Sequence, residues 1–128
     1  MAENNKIDYI ECPATDMEAT KAFYSRVFGW AFVDYGPTYT AFTKETAGRD
    51  GGFTSETKVG PSPREGGGTL AVLYSDELEA LVEKVVAAGG AIVEPIFSFP
   101  GGRRFHFTDP NGNELAVWSM KDAQGNMI

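Results

Sequence analysis

The strongest constraint in this chain is a repetition of element order at an offset of sixty positions. A strand-like segment, "IDYIECP" (7–13), leads into "TDMEATKAFYSRVFGW" (15–30), where Ala19, Ala22, Phe23 and Val27 recur at helical spacing. Thr15 or Asp16 can cap that helix, and Gly29 can end it. Short strands follow at "AFVDY" (31–35), "YTAFTK" (39–44) and "GGFTSE" (51–56), parted by Gly, Pro and charged residues. Then the order returns. "TLAVLY" (69–74) reads as a strand, and "SDELEALVEKVVAAGG" (75–90) as a helix capped by Ser75 and stopped at Gly89 and Gly90. "AIVEPIF" (91–97) is a further strand, and "RFHFTDPNGNELAVW" (104–118) a closing hairpin. At the two helix starts Asp16 matches Asp76, and seven residues before each, Tyr9 matches Thr69. A repeat of this kind precedes any choice of fold.

Each copy offers one amphipathic helix and a small sheet, so the expected class is α+β, helix on sheet, in two βαβββ modules. The modules span about 6–56 and 69–119 of a single domain, 1–128, and "TKVGPSPREGGG" (57–68), with no periodic pattern, joins them as a loop. The apolar positions Ile10 and Cys12, and Leu70 and Val72, are expected to face the helices. Tyr9, Glu11, Thr69 and Ala71 then face away, and the two sheets curve around a cup lined by these mixed residues. "KDAQGNMI" reads as a loose tail.

In the hairpin, Phe105 and Phe107 share a face with Leu115 and Val117 if 107 pairs with 115 and 109–113 form the loop. That register sets His106 opposite Ala116, Arg104 opposite Trp118 and Thr108 opposite Glu114, all on the side away from the helix. "DPNGN" is a turn by residue type: Pro presets φ, and Gly or Asn tolerates positive φ.

Charge narrows the partners. With 11 Lys and Arg against 18 Asp and Glu, the net charge of -7 repels nucleic-acid phosphates and anionic lipid heads. The expected partner is a small molecule. One cysteine, Cys12, permits no internal disulfide, which fits a reducing compartment. "MAENNKIDY" carries no basic, apolar leader and no apolar run is long enough to span a bilayer, so a cytoplasmic protein is expected.

The segments "DYIECPATDMEATKAFYSRVFGW", "YSDELEALVEKVVAAGG" and "FTDPNGNELAVW" resemble the glyoxalase, bleomycin-resistance and extradiol-dioxygenase superfamily, the vicinal oxygen chelate proteins. "FYSRVFGW" and "DPNGN" resemble in particular the bacterial group of predicted lactoylglutathione-lyase-related proteins. The resemblance covers residues 7–119 and implies a small domain that commonly forms homodimers. It also implies a divalent metal, held by a ligand seven residues before each helix-start Asp and by a Glu on the last strand of each copy. Those positions here are Tyr9, Thr69, Ala116 and a place in "GGFT" (51–54), none of them suited to the task. No cofactor is therefore expected; a displaced metal on His106, Glu11, Glu114 or the nearby Glu56 is the alternative.

The remaining candidates carry two readings each. His106, the single histidine, is a general acid or base beside Glu114 or Glu11, or a strand histidine bound to a neighbour. Tyr9 offers its hydroxyl to a ligand or fills space that a metal would take. Glu11 is a carboxylate with a raised pKa in an enclosed setting, or a solvated strand-end charge. Trp118 stacks on a flat ligand or forms wall. Arg104 pairs an anionic group or is solvated. Three functions follow: a binder of a small organic ligand without the standard metal; a lyase or isomerase working through His106 and Glu114 or a displaced divalent metal; or a subunit with no ligand, for which a filled cup would be the sign.

Overall fold

The computed structural model describes residues 3–127 and divides into two compact units, Met1–Val59 and Gly60–Ile128. The division falls inside the expected loop at 57–68.

The first unit runs β1 (Tyr9–Pro13), α1 (Met17–Phe28), β2 (Phe32–Asp34), β3 (Tyr39–Phe42), a short α2 (Lys44–Ala47) and β4 (Asp50–Thr54). Its sheet has the order β1-β4-β3-β2, with β1 parallel to β4 and the other pairs antiparallel. Helix α1 begins where Asp16 accepts a hydrogen bond from the Ala19 amide at 3.0 Å. It ends at Gly29, whose φ of 74° is the left-handed conformation a side chain resists. Its inner face buries Phe23, Tyr24 and Val27. Tyr24 meets Phe53 at 5.1 Å and Trp30 at 4.7 Å, and Trp30 meets Phe42 at 4.7 Å, so rings from helix and sheet form one aromatic core.

The second unit holds a 3₁₀ turn (Pro63–Glu65), β5 (Ala71–Tyr74), α3 (Leu78–Ala87), β6 (Ala91–Phe99), β7 (Gly102–Thr108) and β8 (Glu114–Ser119). Its sheet repeats the first, β5-β8-β7-β6, again with the outer first strand parallel to the last. Phe105, Phe107, Leu115 and Val117 are buried on one face together with Leu78, Leu81 and Val85 of α3. On the same face Arg103 pairs with Glu79 of α3. The hairpin register is the expected one: Phe107 pairs with Leu115, His106 with Ala116, Arg104 with Trp118 and Thr108 with Glu114.

Three expectations need correction. First, α3 starts later than expected, its cap position two residues past Ser75 and one past Asp76. Its cap position is Glu77, while Asp76 instead accepts from the Tyr74 hydroxyl at 2.7 Å and pairs with Lys121. Asp16 thus corresponds to Glu77, an offset of 77 − 16 = 61. Second, β5 is turned over as a result. Ala71 and Leu73 pair with Leu115 and Val117 on the helix side, whereas Val72 and Tyr74 pair with Ala116 and Trp118 on the other. Leu70 and Val72 do not face the helix, and Thr69 stands exposed ahead of β5. A shift of one residue exchanges every side chain between faces. Third, the segment 57–68 is not featureless, since its 3₁₀ turn carries Arg64 to a defined partner. Among the described residues no helix is long and apolar enough to cross a membrane.

Candidate functional site

The non-helical face of the second sheet gathers three of the expected residues, Arg104, His106 and Glu114, into one chain of hydrogen bonds that Arg64 completes. Alternation along β7 puts Arg104 and His106 on this face, and β8 adds Glu114, Ala116 and Trp118. His106 Nδ1 lies 2.8 Å from Glu114 Oε2. Arg64 Nε donates to that same oxygen at 3.0 Å. On the other side of the imidazole, Arg104 aims Nε and Nη2 at His106 Nε2, at 3.1 and 3.0 Å. A guanidinium only donates, so Nε2 is the acceptor and Nδ1 carries the proton given to Glu114. The order is Arg104, His106, Glu114, Arg64.

The Glu114 side chain is wholly buried, and its Oε1 has no hydrogen-bond partner among the described residues. Burial pushes its carboxyl pKa up, but the hydrogen bonds from His106 and Arg64, with the charge of Arg64, outweigh that and hold it below the ordinary carboxylate value. Aromatic rings frame the chain. Phe97 on β6 stacks on His106 with centroids 6.0 Å apart, and the Arg104 guanidinium lies 5.8 Å above the same ring. Tyr74 meets Trp118 edge-on at 5.0 Å, and Phe99 approaches it at 6.4 Å. Val72, Tyr74 and Phe97 leave large apolar areas exposed on this face.

Tyr9 and Glu11 belong to the first unit, on the non-helical face of its own sheet. There the Tyr9 and Tyr39 hydroxyls are 2.6 Å apart, and Tyr39 donates to Glu11 at 3.0 Å. Burial, then the neighbouring Tyr9 and Glu11, push the Tyr39 phenol pKa well above its ordinary value. Its ring lies over Gly52, where an added Cβ would stand 2.6 Å from Tyr39 Cζ and 2.8 Å from the Thr40 carbonyl oxygen. This glycine occurs inside "GGFT", where the resemblance implied a carboxylate, and the Tyr39 hydroxyl takes the room instead.

Arg64, Tyr39, Tyr74 and Phe97 were missed as site residues by sequence reasoning. Phe97 carried no signal because β6 bulges twice before it, which breaks the period of two. Arg64 sits in an aperiodic loop. Tyr39 starts a strand whose neighbour carries two glycines, a place where a ring can lie over that neighbour.

Do these residues suit the divalent metal of the wider family? Among the described residues, no three His, Cys, Asp or Glu side chains are grouped to hold one. Both His106 nitrogens are engaged, and the guanidinium groups of Arg64 and Arg104 flank the histidine and carboxylate. A dication there would meet two positive charges. The residues do not fit it.

Fold and site together define a duplicated βαβββ protein of the α+β class with a polar, ring-framed face on its second sheet. The model of the Glyoxalase/Bleomycin resistance protein/Dioxygenase superfamily matches residues 6–117, and the chain belongs to that superfamily. It is similar to "Putative glyoxylase CFP32" of Mycobacterium bovis, 29% identical over 119 residues; the match takes in 87% of this chain but spans only 44% of that protein. Among solved structures it is similar to a glyoxalase-related enzyme from Fulvimarina pelagi, with a TM-score of 0.71, 22% identity and 97% of each chain covered. TnmS3, an antibiotic binding protein from a Streptomyces species, has a TM-score of 0.67 and 20% identity over 93% of this chain and 98% of its own.

Proposed function

We propose that this protein binds a small organic ligand on the non-helical face of its second sheet and works without the superfamily's standard metal centre. The observation that carries the reading is the state of His106. One ring nitrogen is spent on Glu114 and the other receives two N–H groups of Arg104, so the imidazole is a structural link and not a free base or ligand. Around it lie the partly exposed rings of Phe97, Tyr74 and Trp118, the surface a flat organic molecule would use. The fold of an antibiotic binding protein is consistent with this use.

The test is metal content by plasma mass spectrometry on untagged protein purified without chelator, paired with a ligand screen followed by amide chemical shifts. The expected result is metal far below one per chain and saturable binding that moves β7 and β8 amides. Nickel, zinc, iron or manganese near one per chain refutes the metal-free reading.

A second reading, a lyase or isomerase, draws on the His106–Glu114 contact at 2.8 Å, the arrangement of a base held by an orienting carboxylate. It requires Arg104 to leave Nε2 when substrate arrives. Under this reading His106→Gln abolishes turnover of a hemithioacetal while the fold persists; under the binding reading neither protein turns it over.

A further inference from the structure

The two arginines of β7 differ in one respect. Arg103, on the helix face, meets a carboxylate: its guanidinium pairs with Glu79 and its Nε donates to the Lys121 carbonyl at 3.0 Å. Arg104, on the opposite face, is partly buried and meets no carboxylate among the described residues. Its Nε and Nη2 are spent on a histidine nitrogen, a neutral acceptor, and its Nη1 has no partner among the described residues. Glu94 stands cross-strand from His106 on this face but forms no ion pair with Arg104, so in a chain with seven more acids than bases Arg104 is a cation without a carboxylate partner among the described residues.

The cation is also held still. Arginine side chains ordinarily carry several free rotors, but here His106 takes the Nε edge. Glu114 fixes His106, and Arg64 fixes Glu114. On either side of Arg104 its direct cross-strand neighbours are Phe97 and Trp118. A planar cation lies between two aromatic side chains, with Tyr74 extending the ring surface beyond Trp118. This combination of a rigid guanidinium with flanking π faces matches one ligand chemistry, a carboxylate carried directly on a flat ring.

Resting on the ligand-binding reading above, we propose that this face takes a small aromatic carboxylate, with Arg104 as its anchor and Trp118 and Phe97 as its ring contacts. Arg64 is a positioning residue: it acts through Glu114 and His106 on the orientation of Arg104.

The test is titration of the protein with benzoate and its neutral isostere benzamide, followed by 1H–15N chemical shifts. The parent protein, Arg104→Gln, Arg104→Lys and Arg64→Gln are compared, each checked for an unchanged thermal midpoint or dispersed spectrum. The expected result is benzoate binding at least tenfold tighter than benzamide. That preference is lost in Arg104→Gln and restored only in part by lysine, which keeps the charge without the planar fork. In Arg64→Gln benzoate weakens but its preference over benzamide persists. Equal binding of benzoate and benzamide, unaffected by Arg104→Gln, overturns the carboxylate assignment and leaves the small-molecule reading standing. Preference that survives Arg104→Gln and vanishes in Arg64→Gln overturns the choice of anchor. If neither probe nor any compound of a broad aromatic fragment set moves a β7 or β8 amide, the proposal and the ligand-binding reading both fall.

Discussion

Replacing Glu114 by glutamine tests whether a buried charge, and not just a buried acceptor, organises the site. The isosteric amide can turn its oxygen toward His106 Nδ1 and Arg64 Nε, keeping both hydrogen bonds but losing the charge that strengthens them. Bonds to a charged group contribute about 1.5–3 kcal/mol and neutral ones about 0.5–1.5, so each contact loses about 1 kcal/mol. The Arg64 share is discounted, because its side chain is 39% exposed and water replaces part of what is lost. The new amide nitrogen then occupies the place of Oε1, buried and without an acceptor, at a cost of about 1–3 kcal/mol. Relief from burying an anion offsets some of this, leaving a net loss of about 2 kcal/mol. For a chain of this size that is a drop of roughly 6–10 °C in thermal midpoint, measured by circular dichroism at pH 7. The sign with pH is fixed: the folded pKa of Glu114 is depressed, so its contribution is whole above the ordinary value of 4.5 and disappears as pH falls through the lower folded value. Parent and variant therefore converge in acid. A variant within about 1 °C of the parent at pH 7, or a gap constant down to pH 2, refutes the reasoning.

Three further outcomes are expected. Gly52→Ala forces a methyl group against the Tyr39 ring and the Thr40 carbonyl, and a loss of about 2 kcal/mol or more in urea denaturation follows; parity with the parent would mean that Tyr39 does not lie over this strand. The raised folded pKa of Tyr39 gives stability that is present below the ordinary phenol value of 10.0 and is lost at higher pH, so Tyr39→Phe removes a late phase from the ultraviolet alkaline titration. Arg103→Met strips Glu79 and the Lys121 carbonyl of their partner and costs about 2 kcal/mol in chemical denaturation, less than a fully buried pair would because the Glu79 side chain is 55% exposed.

The hairpin was readable in the sequence because Phe105, Phe107, Leu115 and Val117 alternate with polar or small residues, and only one register buries all four. At the start of β5, Leu70 just ahead of it and Ala71, Val72 and Leu73 within it are apolar without a break, so alternation carries no parity there. Parity was borrowed from the supposed helix start at Asp76, and Asp76 binds Tyr74 and Lys121 instead of capping α3. The proximity of His106 to Glu114 followed from register alone. That Arg64 would join them did not, because a loop contact between residues 64 and 114 leaves no periodic trace. Arg104 was recognised as a candidate anion anchor, but its lock onto His106 depends on side-chain conformation, which pattern does not encode.

In both units the strand made first pairs in parallel with the strand made last, Tyr9 beside Asp50 and Ala71 beside Leu115. Each sheet is thus completed by its most distant contact, the slow kind of closure in folding. In the first unit the arriving strand, "DGGFT", is a poor strand former with two glycines at its centre. The rings of Phe42 and Tyr39 lie across its two glycines, and β1 and β3 pair with it on either edge. A nascent chain cut short before Asp50 has no neighbour for β1, so the first unit completes its sheet only late in its own synthesis. Pulsed amide exchange during refolding should therefore find β1 and β4 protected together, after the β2–β3 ladder.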